Sequence, residues 1–404
     1  MTAHIISKRI AAIHAATPVL EFLTASSQAR RQHEPGVANF LLGNPHEMPL
    51  PGFVDALRHW SVPQDKDWFA YMINDPKARA VVATVLRERR NVPFDPDDIF
   101  LTNGATGGLS VTLGAVLDPG DEVVFISPPW FFYEAFILGS GGIPVRAKID
   151  PSTFDLDVDA IAAAFSPRTR AIIINSPHNP TGKMYPPETL LQLSDALTAA
   201  SERHGRPIYL LSDEAYSRIV FDGRPYYSPT AFYPRSFLIY TYGKTLLTPG
   251  QRLGYIALPP TMPDRQQMHS ALALSQLVSG FAVANALLQH ALADVEALSI
   301  DIAHLQQKRD RLVGALQGMG YEVHVPEGTF YLLPKSPWMD DRAFADLLLT
   351  HDILVLPGTW VELPGYFRIS LTANDEMIEH SLTGFAAAWE YARAHAPGAS
   401  KKSQ

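Results

Sequence analysis

A lysine stands where an apolar, strand-like run reaches its end. In "YTYGKTLLTPGQRLGYIAL" (240–258), Lys244 follows the apolar run "SFLIY", and Arg252 opens a second run, "LGYIAL". A bare ammonium is costly in apolar surroundings, and a lysine nitrogen escapes that cost by forming an imine with an aldehyde. Other reactive side chains close other apolar runs. "DIFLTN" (98–103) ends at Gly104-Ala105-Thr106, and "EVVFIS" (122–127) ends at Pro128-Pro129-Trp130 with Tyr133 beyond. "TRAIIINS" (169–176) leads into "SPHNPTG" with Asn179, and "PIYLLSD" (207–213) ends on Asp213 with Glu214 and Tyr216 after it. "SFLIYTY" (236–242) delivers Thr241 and Lys244. Five run ends thus offer an anion cradle, an aromatic plate, an amide, a carboxylate with a phenol, and an amine.

These groups converge only if the runs lie side by side. Near-continuous apolar runs separated by helical segments, such as "GATGGLSVTLGAVL" (104–117) and "PETLLQLSDALTAASERHG" (187–205), are the pattern of a largely parallel sheet covered by helices. Ligands in such sheets sit beyond the carboxyl ends of the strands. With 404 residues the chain exceeds what one core usually serves, so two domains are expected. After about 290 the texture changes to a long helical stretch (288–317), short strands in "YEVHVPEGTFYLL", "ILVLPG" and "YFRIS", and helices over 342–350 and 374–394. The expected fold is α/β: a large domain of 46–289 with the mostly parallel sheet, plus a smaller α+β domain built from 1–45 and 290–404. "PGASKKSQ" reads as a frayed tail.

One ligand uses all five kinds of group at once. Pyridoxal phosphate has an aldehyde for a lysine, a ring nitrogen for a carboxylate, a phenolic oxygen, a flat face and a phosphate. Lys244 suits the aldehyde and Asp213 the ring nitrogen. Asn179 and Tyr216 suit the phenolic oxygen, and Trp130 suits the face. Thr106, Thr241 and Arg252, with a helix N-terminus of small residues, suit the phosphate.

In combination, "NSPHNPTG", "SDEAYS", "TYGKTLLTPGQRLGY" and "FRIS" follow a familiar order. From about Gly43 to about Arg368 the chain resembles the class I/II aminotransferases, the aspartate-aminotransferase-like group of fold-type I pyridoxal-phosphate enzymes. The resemblance implies amino transfer between an L-α-amino acid and a 2-oxo acid by a ping-pong mechanism, with Lys244 as Schiff-base lysine and proton shuttle. It implies that Asp213 pairs with the pyridine nitrogen, that Asn179 and Tyr216 tune the phenolic oxygen, and that Ala105, Thr106, Thr241 and Arg252 hold the phosphate. Arg368 is implied to clamp the substrate α-carboxylate, with Gly43 of "LLGNP" beside it. Tyr71 of "WFAYMIND" is implied to reach the phosphate in a neighbouring subunit, which makes a homodimer with shared active sites. Three departures surround the substrate: Gly243 where serine is common, "INDPKARA" after Tyr71, and no Phe-Gly after "LPG" in "LPGTWVELPGYFRIS". The cofactor residues serve a β-elimination lyase or a decarboxylase equally well.

Taken singly, each feature has an ordinary account, such as a snorkelling lysine, a helix-capping Asp213–Glu214 pair or a core tryptophan. Their joint placement at one sheet edge does not. Other classes are disfavoured. A net charge of −8 without clustered Lys/Arg argues against nucleic acid, and no apolar run approaches a membrane span. Without cysteine there are no disulfides, thiolate metal sites or Cys nucleophiles, and the fourteen histidines show no metal spacing. "GATGG" is not GxGxxG, which weakens a nicotinamide reading. The start lacks a secretory pattern, so a cytoplasmic enzyme is expected. His178, in "SPHNP", is either a substrate contact or a loop residue. A dicarboxylate substrate would want a second cation that the sequence does not identify, and the aromatic residues near the site suit either a bulky substrate or the core.

Overall fold

The computed structural model describes residues 5–90, 92–280 and 283–395. The tail 397–404, expected to be frayed, lies outside the described residues.

The apolar runs are covered on both faces. In Glu122–Ser127, Val123 and Phe125 join one core while Val124 and Ile126 join another. Thr169–Asn175 divides likewise, Ala171 and Ile173 to one side, Ile172 and Ile174 to the other. Successive side chains of an extended chain point to opposite faces, so an unbroken apolar run requires two buried faces. Helices Gly104–Val116 and Arg265–Val278 pack together over one face, burying Leu109 and Leu272. Pro187–His204 brings Leu190, Leu193 and Leu197 to the other.

Across the seven-stranded sheet the order is Ile99–Thr102, Gly254–Ala257, Ser236–Thr241, Tyr209–Asp213, Thr169–Asn175, Glu122–Ser127 and Ile143–Lys148. Gly254–Ala257 runs antiparallel to both neighbours, and the remaining ladders are parallel. The edge strand Ile143–Lys148 carries no continuous apolar run, because only Ala147 in it is buried. Neither this strand nor Ala38–Asn39 follows from the apolar runs of the sequence.

A four-stranded antiparallel sheet forms later in the chain, in the order Leu356–Pro357, Phe367–Ser370, Tyr331–Pro334, Val323–His324. Leu332, Phe367 and Ile369 pack there with Leu312, Leu316 and Phe385 from helices Ile302–Met319 and Asp375–Ala394. Ala38–Asn39 pairs in parallel with Ile353–Leu354, and Phe40 enters the same core. The first helix, Lys8–Ala16, instead lies against Tyr133–Gly139.

The long helix expected over 288–317 is three helices, Ala286–His290, Leu292–Glu296 and Ile302–Met319. The break has local causes. Asp301 caps the third helix by accepting from the His304 N–H at 3.0 Å, and the Ile300 N–H donates to the Thr245 carbonyl at 2.9 Å. That second bond ties the break to the segment holding Lys244.

Consecutive carboxylates at the end of Tyr209–Asp213 part company. Asp213 faces the carboxyl edge of the sheet, while Glu214 is fully buried and bonds to Arg90 at 2.8 Å. Arg90→Ala leaves that carboxylate without its counter-charge and should cost about 3 kcal/mol of unfolding free energy. Arg90→Met combined with Glu214→Gln should recover most of it. Urea denaturation of both variants reads the difference, and an undiminished midpoint for Arg90→Ala would show that the pair adds nothing.

Candidate active site

The parallel register sets the site. Asn175 lies opposite Asp213 and Asp213 opposite Ile239, so Asn175, Asp213 and Thr241 emerge together at the carboxyl edge. Thr102 and Thr241 both pair with Gly254, which brings the start of helix Gly104–Val116 to the same place. Gly254 has no room for a side chain: a Cβ there would fall 2.3 Å from the Tyr240 carbonyl and 2.8 Å from Gly104 Cα. A cavity of about 180 Å³ opens at this edge. Its lining includes Ala105, Thr106, Trp130, Asn179, Asp213, Tyr216, Thr241, Lys244 and Arg252.

At one end the groups favour an anion. Arg252 Nη2 donates to Thr106 Oγ1 at 2.6 Å and to the Asn103 carbonyl at 3.2 Å, and Nη1 donates to the Pro249 carbonyl at 2.7 Å. Among the described residues, no carboxylate pairs with it. Burial pulls this guanidinium below its ordinary pKa, the signature of a cation lacking a counter-charge. Gly104 takes φ +70, and a Cβ there would sit 3.0 Å from Arg252 Nη2 and 3.3 Å from Thr241 Oγ1. The helix that Gly104 opens receives no side-chain cap from Asn103, so its first N–H groups point at the cradle uncapped.

Opposite chemistry occupies the floor. Asp213 is buried, accepts from the Tyr133 hydroxyl at 2.6 Å and from the Ala215 N–H at 3.2 Å. Burial pushes its carboxyl above the ordinary range, against the opposing pull of Tyr133, the Ala215 N–H and Lys244. A cationic partner for this carboxylate would relieve that burial cost. Lys244 belongs to a single turn, Tyr242–Thr245, whose Gly243 N–H is capped by Thr241 Oγ1 at 3.3 Å. Its Nζ lies 5.6 Å from the ring centroids of both Tyr216 and Phe330, and among the described residues no carboxylate pairs with it.

Arg368 is almost wholly buried in Phe367–Ser370. Its Nη1 donates to Asn179 Oδ1 at 2.9 Å and its Nη2 to the Leu41 carbonyl at 3.3 Å, while Nε has no partner among the described residues. The Tyr331 ring stacks on it, with Cζ 4.0 Å from the centroid. Burial would raise the Tyr331 phenol, but Arg368, Lys244 and the bond with Tyr216 prevail and hold it below its usual value. Tyr216 moves the other way, well above its ordinary pKa, through burial and its exchange with Tyr331. Gly43 presses on this corner: a Cβ there would meet Phe330 and the Tyr331 hydroxyl at 2.6 Å each.

The structure therefore gathers Ala105, Thr106, Trp130, Asn179, Asp213, Tyr216, Thr241, Lys244 and Arg252 in one cavity, with Arg368 and Gly43 adjoining through Asn179 and Tyr331. Tyr71 stands apart, fully exposed and outside that lining. His178 is buried with Nδ1 2.8 Å from Thr181 Oγ1, and burial drops its pKa to about 3, which makes it a neutral loop residue. The sequence places Tyr331 among the aromatic residues near the site but does not show its stacking on Arg368, nor a site role for Asn175, nor the bond from Tyr133 to Asp213. Asn175 ends a quoted strand and its Oδ1 accepts from the Asn179 N–H at 2.7 Å, so the strand-end rule had a signal for it. Among the described residues no cluster of His, Asp and Glu is arranged to hold a metal.

The donor set fits pyridoxal phosphate: an uncompensated guanidinium with a glycine-lined helix start for the phosphate, and a desolvated carboxyl for the ring nitrogen. The family model for aminotransferase class I and II matches residues 37–385. A probable aspartate/prephenate aminotransferase of Thermus aquaticus is 30% identical over 350 residues, covering 85% of this chain and 89% of that one. The aspartate/prephenate aminotransferase of Thermus thermophilus is 28% identical, covering 94% of this chain and 98% of its own. An aminotransferase of Eubacterium rectale superposes with a TM-score of 0.85 at 28% identity, covering 96% of this chain and 99% of that one. For the Thermus thermophilus aspartate aminotransferase solved with maleate the TM-score is 0.79 at 26% identity, covering 96% and 100%.

Replacing Arg252 by Gln should weaken pyridoxal-phosphate binding by roughly tenfold to a hundredfold, the loss of a charge-assisted bond. Fluorescence titration of the cofactor-free protein measures it. An affinity within twofold of the parent would remove Arg252 from the cradle.

Proposed function

The chain belongs to the class I and II aminotransferases, and on that footing we propose that Lys244, Asp213 and Tyr216 carry amino transfer between an L-α-amino acid and a 2-oxo acid. The enzyme is a pyridoxal-phosphate-dependent aminotransferase. One observation carries the assignment of residues: Lys244, Asp213, Asn179, Tyr216, Thr106, Thr241 and Arg252 border a single cavity.

Pyridoxal phosphate, when bound, supplies an aldehyde that condenses with amines and a pyridine ring that takes up the electron pair left at Cα. Arg252, Thr106, Thr241 and the N–H groups of Ala105 and Thr106 would hold its phosphate. Asp213 would hold the ring nitrogen, Asn179 and Tyr216 the phenolic oxygen, and Trp130 a ring face. The protein's own share is placement and proton handling. Arg368 takes the substrate α-carboxylate in its planar fork, oriented by Asn179, the Leu41 carbonyl and the stacked Tyr331 ring. Fixing the carboxylate fixes which bond at Cα faces Lys244, and so selects loss of a proton over loss of carbon dioxide. Lys244 Nζ, sheltered between Tyr216 and Phe330, carries the α-proton off Cα of the donor amino acid and, in the second half-reaction, delivers a proton to Cα of the incoming 2-oxo acid. The 2-oxo acid enters by the same fork, so donor and acceptor alternate and the kinetics are ping-pong.

In this reading residues 46–289 form the cofactor-binding domain, and 1–45 with 290–404 form the smaller one, so Lys244 and Arg368 come from different domains. The proposal extends to a cytoplasmic homodimer in which Tyr71 reaches the partner's cofactor phosphate. Its full exposure supports that, as do the exposed Leu274, Leu277 and Val278 on helix Arg265–Val278. Among the described residues, no helix is long and apolar enough to cross a membrane.

Lys244→Ala should lower turnover by at least about three orders of magnitude and stop exchange of the substrate α-proton with deuterated water, followed by proton NMR. Exchange at the parental rate would refute the proton-shuttle role. For the shared site, mixing Tyr71→Ala chains with inactive Lys244→Ala chains should raise activity above that of either alone, because each hybrid holds one intact site. Activity that stays at the arithmetic mean of the two would remove Tyr71 from the partner's site.

A further inference from the structure

A second cavity, of about 320 Å³, opens beside the first, and Trp130 stands in the wall of both. Its other walls include Phe131, Trp360 and, from the N-terminal segment, Val19. Phe131 links it to the substrate, since the Arg368 Cζ lies 6.0 Å from the centroid of that ring. A substrate whose α-carboxylate sat in the Arg368 fork would have Phe131 beside it, and the Trp130 ring lies 6.4 Å beyond Phe131.

The charges on this cavity decide what it accepts. Arg146 is the one cation in its lining among the described residues, and it is already engaged. Arg146 Nε donates to Glu362 Oε1 at 2.7 Å and its Nη2 donates to Glu134, while Ser127 Oγ donates to Glu362 Oε2 at 2.7 Å. Two carboxylates against one guanidinium leave negative charge in excess. Within this lining an incoming side-chain carboxylate would meet like charge and, among the described residues, no unpaired cation, since Arg342 lies outside it with Cζ 4.2 Å from the Trp360 centroid; an aryl group would have Trp130, Phe131 and Trp360 beside it. We propose that this cavity receives the substrate side chain and selects bulky aromatic amino acids over dicarboxylic ones. The selection rests on the amino-transfer reading above and sets this chain apart from relatives named for aspartate.

A binding arm and a turnover arm separate the two ideas. The holoenzyme is titrated calorimetrically with 3-phenylpropanoate and with succinate, neither of which has an amino group to react. In parallel, kcat/KM is measured for phenylalanine and aspartate with one 2-oxo acid. 3-Phenylpropanoate should bind roughly tenfold tighter than succinate, and phenylalanine should exceed aspartate by a similar factor. Tighter succinate, or aspartate equal to phenylalanine, overturns the proposal. Tighter 3-phenylpropanoate without turnover of any amino acid would instead sink amino transfer and support the pocket. Phe131→Ala should lower the phenylalanine-to-aspartate ratio roughly tenfold. Glu134→Gln with Glu362→Gln should lower it too, by freeing Arg146 for a carboxylate. A ratio unmoved in both variants overturns the assignment of these walls.

Discussion

Positive charge held without an internal counter-charge is the constraint on which this site depends. Lys244, Arg252 and Arg368 are partly or wholly buried, and among the described residues none is paired with a carboxylate. Desolvated cations of this kind destabilise the protein that keeps them. Their neutral partners — the Thr106 hydroxyl, the Asn179 amide, three backbone carbonyls and aromatic faces — orient them without satisfying them. A ligand with a phosphate and a carboxylate would supply the charges that Arg252 and Arg368 lack, and an aldehyde condensing with Lys244 would remove the third. Affinity for such a ligand is therefore the counterpart of an incomplete fold.

Elsewhere the same fold handles buried guanidinium groups differently. Arg218 pairs with Glu296 at 2.8 Å, Arg309 with Asp222 at 2.7 Å and Arg90 with Glu214 at 2.8 Å. None of these six residues is in the cavity lining, and the pairs finish the packing between elements. Arg252 and Arg368 differ from these three arginines in having only neutral acceptors, and they differ from Arg170, which also has only carbonyl partners, in lining or adjoining the cavity.

The sequence disclosed the cofactor side of the site because those residue types stand at strand ends, where the topology of a parallel sheet requires function to lie. Asp213 and Glu214 show the limit of that reading. Adjacent in sequence, they leave the strand toward opposite surroundings, and only the packing of Arg90 reveals which one is structural. Tyr331 is legible only as one of several aromatic residues near the site, because its stacking on Arg368 across the four-stranded sheet is a contact that no local pattern encodes. The edge strand Ile143–Lys148 escaped for the converse reason, since a half-exposed edge needs no apolar run. The Arg146 cluster draws on residues from 127 to 362, so charge balance in the second cavity could be read only from the folded chain.

Gly243 shows how a departure from a family pattern acquires a physical meaning. The turn bearing Lys244 is four residues long, far too short to be stable alone. It is held from outside: Thr241 caps its start, the Ile300 N–H takes up the Thr245 carbonyl, and the Tyr240 hydroxyl meets Thr245. Position 243 packs directly on the segment that follows, where a Cβ would lie 2.9 Å from Pro249 Cα. Pro249 is also the residue whose carbonyl accepts from Arg252 at 2.7 Å. A serine at 243 would thus have to displace the backbone that positions the Arg252 guanidinium. Glycine there lets the turn bearing Lys244 and the loop bearing Arg252 close on one another, so the spacing of these two cations depends on that backbone contact as well as on the bonds that hold the turn.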